Sequence, residues 1–146
     1  MKVRKYEGFS LIEILVVVAL IIILATITIV AINPAKNFRD TRNAQRSADV
    51  SQILNAITQY TSEEGNAIED FGTITNCTLG TSDIGTDTGN INLTTILVDE
   101  YIVEIPMDPS NGTEEDSGYD ICVTDTGRVQ IDAPGAEDGK VISVKR

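Results

Sequence analysis

Histidine and tryptophan are absent from the chain, and it has only two cysteines, four prolines, four tyrosines and three phenylalanines. Without histidine, imidazole-ligated zinc and any triad using an imidazole base are excluded. An ordinary hydrolytic enzyme is therefore a poor reading. Cys77 and Cys122 lie too far apart for a CxxC metal or redox site. They read as a disulfide in an exported domain or, in a reducing compartment, as two isolated buried thiols. Positive charge is scarce in the second part: residues 62–146 hold four basic and eighteen acidic side chains, residues 1–61 seven basic and four acidic. So acidic a surface repels phosphate backbones, which argues against direct nucleic-acid binding there while leaving divalent cations attractive. Only the basic N-terminal part suits polyanions.

One long apolar run is present. Phe9 to Ile32 spans 24 residues, seventeen of them Ile, Leu, Val or Phe, with Glu13 the single charge. As helix it extends ~36 Å, enough to cross a ~30 Å hydrocarbon layer. A cleavable secretory signal has a shorter apolar core of about 7–15 residues and an A-x-A-like site; "NPAKNF" after Ile32 offers none, so the segment is expected to stay in the mature protein. The apolar residues favour insertion by ~0.3–0.6 kcal/mol each, against at most ~3 for one carboxylate near a helix end. Lys2, Arg4 and Lys5 precede the span, and Lys36, Arg39, Arg42 and Arg46 follow it, so the positive-inside rule does not orient it. The larger acidic part downstream favours the N-terminus in the cytoplasm and the C-terminus outside. Glu13 itself has two readings: a carboxylate snorkelling or protonated in lipid, or one paired with a cation where apolar helices pack.

A basic leader, "MKVRKYEG", ends in Gly8, and "FSLIE" then places Glu13 fifth in the apolar run. This stretch resembles the class III signal of bacterial type IV prepilins and of type II secretion pseudopilins, strongly over roughly the first third of the chain. The resemblance implies that prepilin peptidase cuts between Gly8 and Phe9 and methylates the new Phe9 amine. It further implies that Glu13 meets the Phe9 amine of an adjacent subunit, or that of its own helix, and so sets the register of a helical homo-oligomeric filament. An inner-membrane assembly platform is the other implied partner. The expected location is a single-pass inner membrane, head outside, followed by an extracellular or periplasmic filament. A pseudopilin or minor pilin of a secretion system is the alternative, and a monomeric membrane-anchored binding module a third reading. No catalytic constellation accompanies these features, paired Glu63 and Glu64 included, and the chain is read as a non-enzyme.

The chain divides into a leader (1–8), a hydrophobic helix (9–34), an amphipathic helix (35–62) and an acidic head (63–146). Pro34 predicts a kink or a helix boundary. Val50, Ile53, Leu54, Ile57 and Tyr60 form a helical stripe that must pack on something, ending near Ser62 before Gly65. Extended backwards, that face meets Arg46, Asn43, Arg42 and Arg39. Residues 36–46 are accordingly expected to stand clear of the head, their basic face meeting acidic heads of neighbours, anionic lipid headgroups or solvent. Residues 66–100 read as a long loop with short elements, and "NLTTILVDEYIVEIP" as a short helix or a strand, a helical turn before Tyr101 being the favoured reading. Tyr119, Ile121 and Val123, then "DTG", then Val129, Ile131 and Ala133 predict a hairpin, and "KVISVK" a third strand. The expected fold is α+β: a long N-terminal helix packed on a small C-terminal antiparallel sheet, a pilin-like layout. "RNAQRSADVSQILNAITQY" and "IPMDP" add weaker resemblance to the same family.

No cofactor is called for except calcium. Asp108, Glu114, Glu115, Asp116 and Asp120 crowd into "DPSNGTEEDSGYD", and some pseudopilins carry calcium in this region. Asp108, Glu114, Asp116 and Asp120 are the candidate ligands, although the spacing is not that of an EF-hand; a solvated acidic loop is the other reading. Asn76, Asn92 and Asn111 head N-x-T sequons, which mark surface loops under a glycosylation system or arise by chance in an Asn- and Thr-rich chain.

Overall fold

The computed structural model describes residues 8–146; apart from Gly8, the leader predicted at residues 1–8 lies outside them. The chain forms two units, one ending at Phe38 and one running from Arg39 to Arg146. The fold is α+β, with a long N-terminal helix interrupted at Asn33 and a four-stranded antiparallel sheet.

In the first unit, helix α1 spans Leu11–Ile32 and buries none of its side chains. Ser10 precedes it in an extended conformation, and its N–H donates to Glu13 Oε2 at 2.8 Å. Glu13 thus satisfies a donor that the helix start would otherwise orphan, and its charge faces the positive end of the helix dipole. The hydroxyls of Thr26 and Thr28 donate to the carbonyls of Ile22 and Leu24, each at 2.8 Å. That back-bonding leaves no hydroxyl proton exposed on an otherwise apolar rod. α1 is long and apolar enough to cross a membrane. It stops at Asn33, which is left-handed at φ 46° and ψ 73°. Pro34 disfavours the α region for the residue before it, asparagine tolerates the left-handed one, and Pro34 then starts helix α2, Pro34–Thr61, where its missing N–H costs nothing.

In the second unit, α2 buries Asn43, Arg46, Asp49, Val50, Ile53, Leu54, Ala56 and Ile57. The predicted apolar stripe is there, but the buried face begins seven residues earlier with polar side chains. Ile53, Leu54 and Ile57 share one core with Phe71, Leu93, Leu97, Ile121 and Ile131. The strands are β1 (Ser82–Asp83), β2 (Asp120–Val123), β3 (Val129–Asp132) and β4 (Ser143–Lys145), in the order β1-β2-β3-β4. The hairpin β2–β3 pairs Val123 with Val129 across a tight turn in which Gly127 has φ 76°. Ile121 and Ile131 face each other and are fully buried.

One feature differs from the expected three-stranded meander. The sheet has a fourth strand, because Ser82 and Asp83 pair with Ile121 and Asp120. Two residues within a Thr-, Gly- and Asp-rich stretch carry no alternation; the partner strand alone makes them a strand. Residues 66–100 contain short elements, as expected: a 3-10 turn (Ile68–Phe71) and the short helix α3 (Thr94–Leu97) in the place of the predicted helical turn. Cys77 and Cys122 are joined in a disulfide, and Cys77 N–H donates to the Val123 carbonyl at 3.0 Å. Closing so long a loop removes entropy from the unfolded chain. The Cys77→Ser/Cys122→Ser variant should therefore lose about 2–4 kcal/mol of stability. A urea midpoint unchanged from the oxidised parent would contradict this.

Candidate functional site

The N-terminal residues singled out in the sequence are all solvent-exposed. Phe9 is 86% accessible, so its large ring is enclosed by nothing among the described residues. A Cβ built on Gly8 would meet no described atom within 4 Å. No described residue therefore demands glycine at that position. Glu13 lies four residues beyond Phe9, in the first turn of α1, its carboxylate engaged with the Ser10 N–H.

A second constellation lies inside the unit from Arg39 to Arg146, and it corrects the expectation that residues 36–46 stand clear of the head. Arg46 is 1% accessible. Its Nε and Nη2 donate to the two Asp108 oxygens at 2.6 and 3.0 Å, Nη1 to Glu137 Oε2 at 3.0 Å, and Nη2 also to Ser110 Oγ at 2.9 Å. Arg42 forms a forked pair with Glu137 at 2.7 and 2.6 Å. The Asn43 amide donates to the Glu137 carbonyl at 3.1 Å and accepts from the Glu137 N–H at 2.9 Å, closing a ring with the backbone as a neighbouring strand would. Arg39 pairs with Asp138 and Lys140 with Asp40 at the more exposed end. Three residues on, Asp49 accepts from the buried Tyr119 hydroxyl at 2.7 Å and from Gln45 at 2.7 Å. The basic face thus meets the acidic residues of its own chain.

Gly135 makes room for this pair: a Cβ there would lie 2.7 Å from Asp108 Oδ2. Burial raises the Asp108 pKa, but the hydrogen bonds from Arg46 and from the Ser110 N–H outweigh it and hold the carboxylate below its ordinary range. Hydrogen bonding to Arg42, then to Arg46, takes Glu137 down to about 2. A carboxylate with a depressed folded pKa stabilises the fold above its unfolded pKa, and the contribution disappears as pH falls through the folded one. Stability should therefore decline on acidification from about pH 4.5 towards pH 2, followed by circular dichroism. Glu137→Gln should flatten that decline, and an identical acid profile in the variant would refute the assignment.

Comparison with known proteins adds one observation about the exposed N-terminus. Residues 3–29 match the family model described as the prokaryotic N-terminal methylation motif. The N-terminus is a class III signal of the type IV pilin and pseudopilin kind. No curated protein and no solved structure matches the chain. The class III signal contains Gly8, Phe9 and Glu13 together and supports a type IV pilin or pseudopilin precursor, a structural subunit rather than an enzyme.

Beyond the class III signal, the four carboxylates considered for calcium are not brought together. Asp108 is spent on Arg46, Asp116 accepts from the Gly118 N–H, and Asp120 accepts from the Thr81 hydroxyl. Among the described residues no group of three or more carboxylate or cysteine side chains is placed to hold a metal ion. Crowding in sequence did not become convergence because the turn from Asp108 to Ser117 closes through backbone bonds: Asp108 N–H to Ser117 O, Gly112 N–H to Asp108 O and Thr113 N–H to Asp116 O. Two sequon asparagines are structural, the Asn76 and Asn92 side-chain oxygens each accepting from the threonine two residues on. Sequence reasoning placed Arg46 and Asn43 on the extension of the Val50 stripe but not their burial, and it did not single out Asp49.

Proposed function

We propose that this chain is a prepilin-like structural subunit that is processed between Gly8 and Phe9 and polymerises through α1 into a type IV pilus or pilus-like filament. The observation that carries the reading is the methylation motif joined to a 22-residue helix with no buried side chain and one carboxylate in its first turn. A rod of this kind has two environments that remove its apolar surface from water: lipid, and the company of other such rods. Before assembly it anchors the precursor in the inner membrane with the head outside. Afterwards it lines a filament core, and the acidic heads lie on the surface.

Glu13 has a distinct part in this scheme. A carboxylate enclosed among apolar helices is costly unless paired. Cleavage after Gly8 creates an ammonium group on Phe9, and Glu13 of the adjacent subunit accepts it, which fixes the axial step. Prepilin peptidase and an inner-membrane assembly platform are the proposed partners. A bulky residue at Gly8 meets no obstacle within the described chain, so its effect would fall on peptidase recognition. Intact-mass measurement of protein from the producing cell is the direct test. A chain beginning at methylated Phe9 is expected; one that retains Met1 would overturn the reading in favour of a simple anchor.

A further inference from the structure

The unit from Arg39 to Arg146 contains seven basic and twenty acidic residues. Four of those cations are consumed internally: Arg39, Arg42, Arg46 and Lys140 each pair with a carboxylate of the same unit. Arg128, Lys145 and Arg146 make no ion pair among the described residues. The strand register gathers these three at one corner of the sheet. Gln130 pairs with Lys145, and Val129 and Arg146 exchange both backbone hydrogen bonds at 3.0 Å. Arg128 immediately precedes β3, two residues from Gln130, and so stands at the turn end of the sheet beside the strand end that carries Lys145. Arg146 turns the other way and donates to Asn55. Arg128 and Lys145 are both exposed.

The same unit carries a cleft of about 370 Å³. Its floor is apolar, built on the buried Ile84, Leu93 and Ile105, with Met107 on the wall. Glu104 and Glu114 line it, no basic side chain does, and both glutamates are exposed and bonded to no other side chain among the described residues. An apolar floor beside free carboxylates suits a cation on an aliphatic stem: the stem lies on the floor and the head reaches the acids.

We propose that the Arg128–Lys145 corner of one subunit docks in the Glu104–Glu114 cleft of the next, a head-to-head contact between copies of this chain. The inference rests on the filament reading and adds to it a second contact beside the helical core. The corner and the cleft are different surfaces of one unit, so the contact is heterologous and propagates instead of closing into a pair, as a helical filament requires. Elsewhere two such acidic heads repel. Sign complementarity at this one place therefore selects the relative orientation of neighbours.

Charge reversal in the full-length chain tests the contact, with filament yield measured by sedimentation and electron microscopy. Arg128→Glu/Lys145→Glu and Glu104→Lys/Glu114→Lys should each lower the yield about tenfold or more, a change equivalent to ~1.4 kcal/mol per contact. The fourfold swap restores complementarity and should return the yield to within about twofold of the parent. Urea midpoints of all three variants should match the parent, since the four side chains are exposed. Carbodiimide treatment of parent filaments should yield an inter-subunit amide between Lys145 and Glu104 or Glu114. Undiminished assembly of either double variant, failure of the swap, or absence of that cross-link from intact filaments would overturn the contact while leaving the filament reading standing. A parent chain that builds no filament would sink both.

Discussion

Asp108→Ala is expected to lower the stability of the unit from Arg39 to Arg146 by about 3–5 kcal/mol, a large share of the ~5–15 kcal/mol that domains of this size possess. The loss comes from what is left behind. Arg46, 1% accessible, would keep its charge and lose both bonds to Asp108. Arg46→Ala should cost a similar amount, stranding Asp108 instead. Replacing both by apolar residues of similar volume, as in Arg46→Met/Asp108→Leu, should cost much less than either single change, because the desolvation penalty of both charges disappears with them. Urea unfolding of the detergent-solubilised chain gives the comparison. If Asp108→Ala shifts stability by less than about 1 kcal/mol, the pair behaves as a surface ion pair and its structural role here is wrong. The exposed pairs Arg39–Asp138 and Asp40–Lys140 should each contribute no more than about 1 kcal/mol.

Glu13→Ala is expected to leave processing at Gly8 intact and to cut filament yield by about tenfold or more, the loss of one charge-assisted contact per subunit step. Glu13 also caps its own helix through the Ser10 N–H, so alanine removes two interactions at once. Glu13→Gln separates them, because its side-chain oxygen still accepts from Ser10 but carries no charge. If the ammonium of Phe9 is the partner, glutamine should assemble as poorly as alanine. Assembly of Glu13→Gln at the parent level would mean that the cap suffices and that the carboxylate does not set the axial step. Once the mass of the substituted side chain is allowed for, the mature N-terminus should fall at the same residue in all three proteins, which keeps a processing defect from being read as an assembly defect.

The N-terminal part was legible because its signals are local. Chain length, one carboxylate at a fixed distance from Gly8 and an unbroken apolar run need no tertiary partner to be recognised, and Pro34 carries its own steric rule. The hairpin was equally plain, since Tyr119, Ile121, Val129 and Ile131 alternate with polar residues around a glycine turn. The segment before Val50 was not. Read alone, Arg39, Arg42, Asn43 and Arg46 form a polar face that belongs in water, because a lone buried guanidinium is prohibitively costly. Their acids lie 62 and more positions further along the chain, and no periodicity links the two.

By itself the sequence determined the apolar rod, its class III signal, the amphipathic stripe from Val50 and the hairpin, all of which follow from residue types at fixed short spacing. Tertiary structure alone decided that the basic end of α2 is buried against Asp108 and Glu137, that Ser82 and Asp83 become a strand, and that four acidic residues between Asp108 and Asp120 do not converge. The physical reason is common to the three. The cost of burying a charge or leaving a backbone group unpaired depends on which distant partner arrives beside it, and that is a property of the folded arrangement.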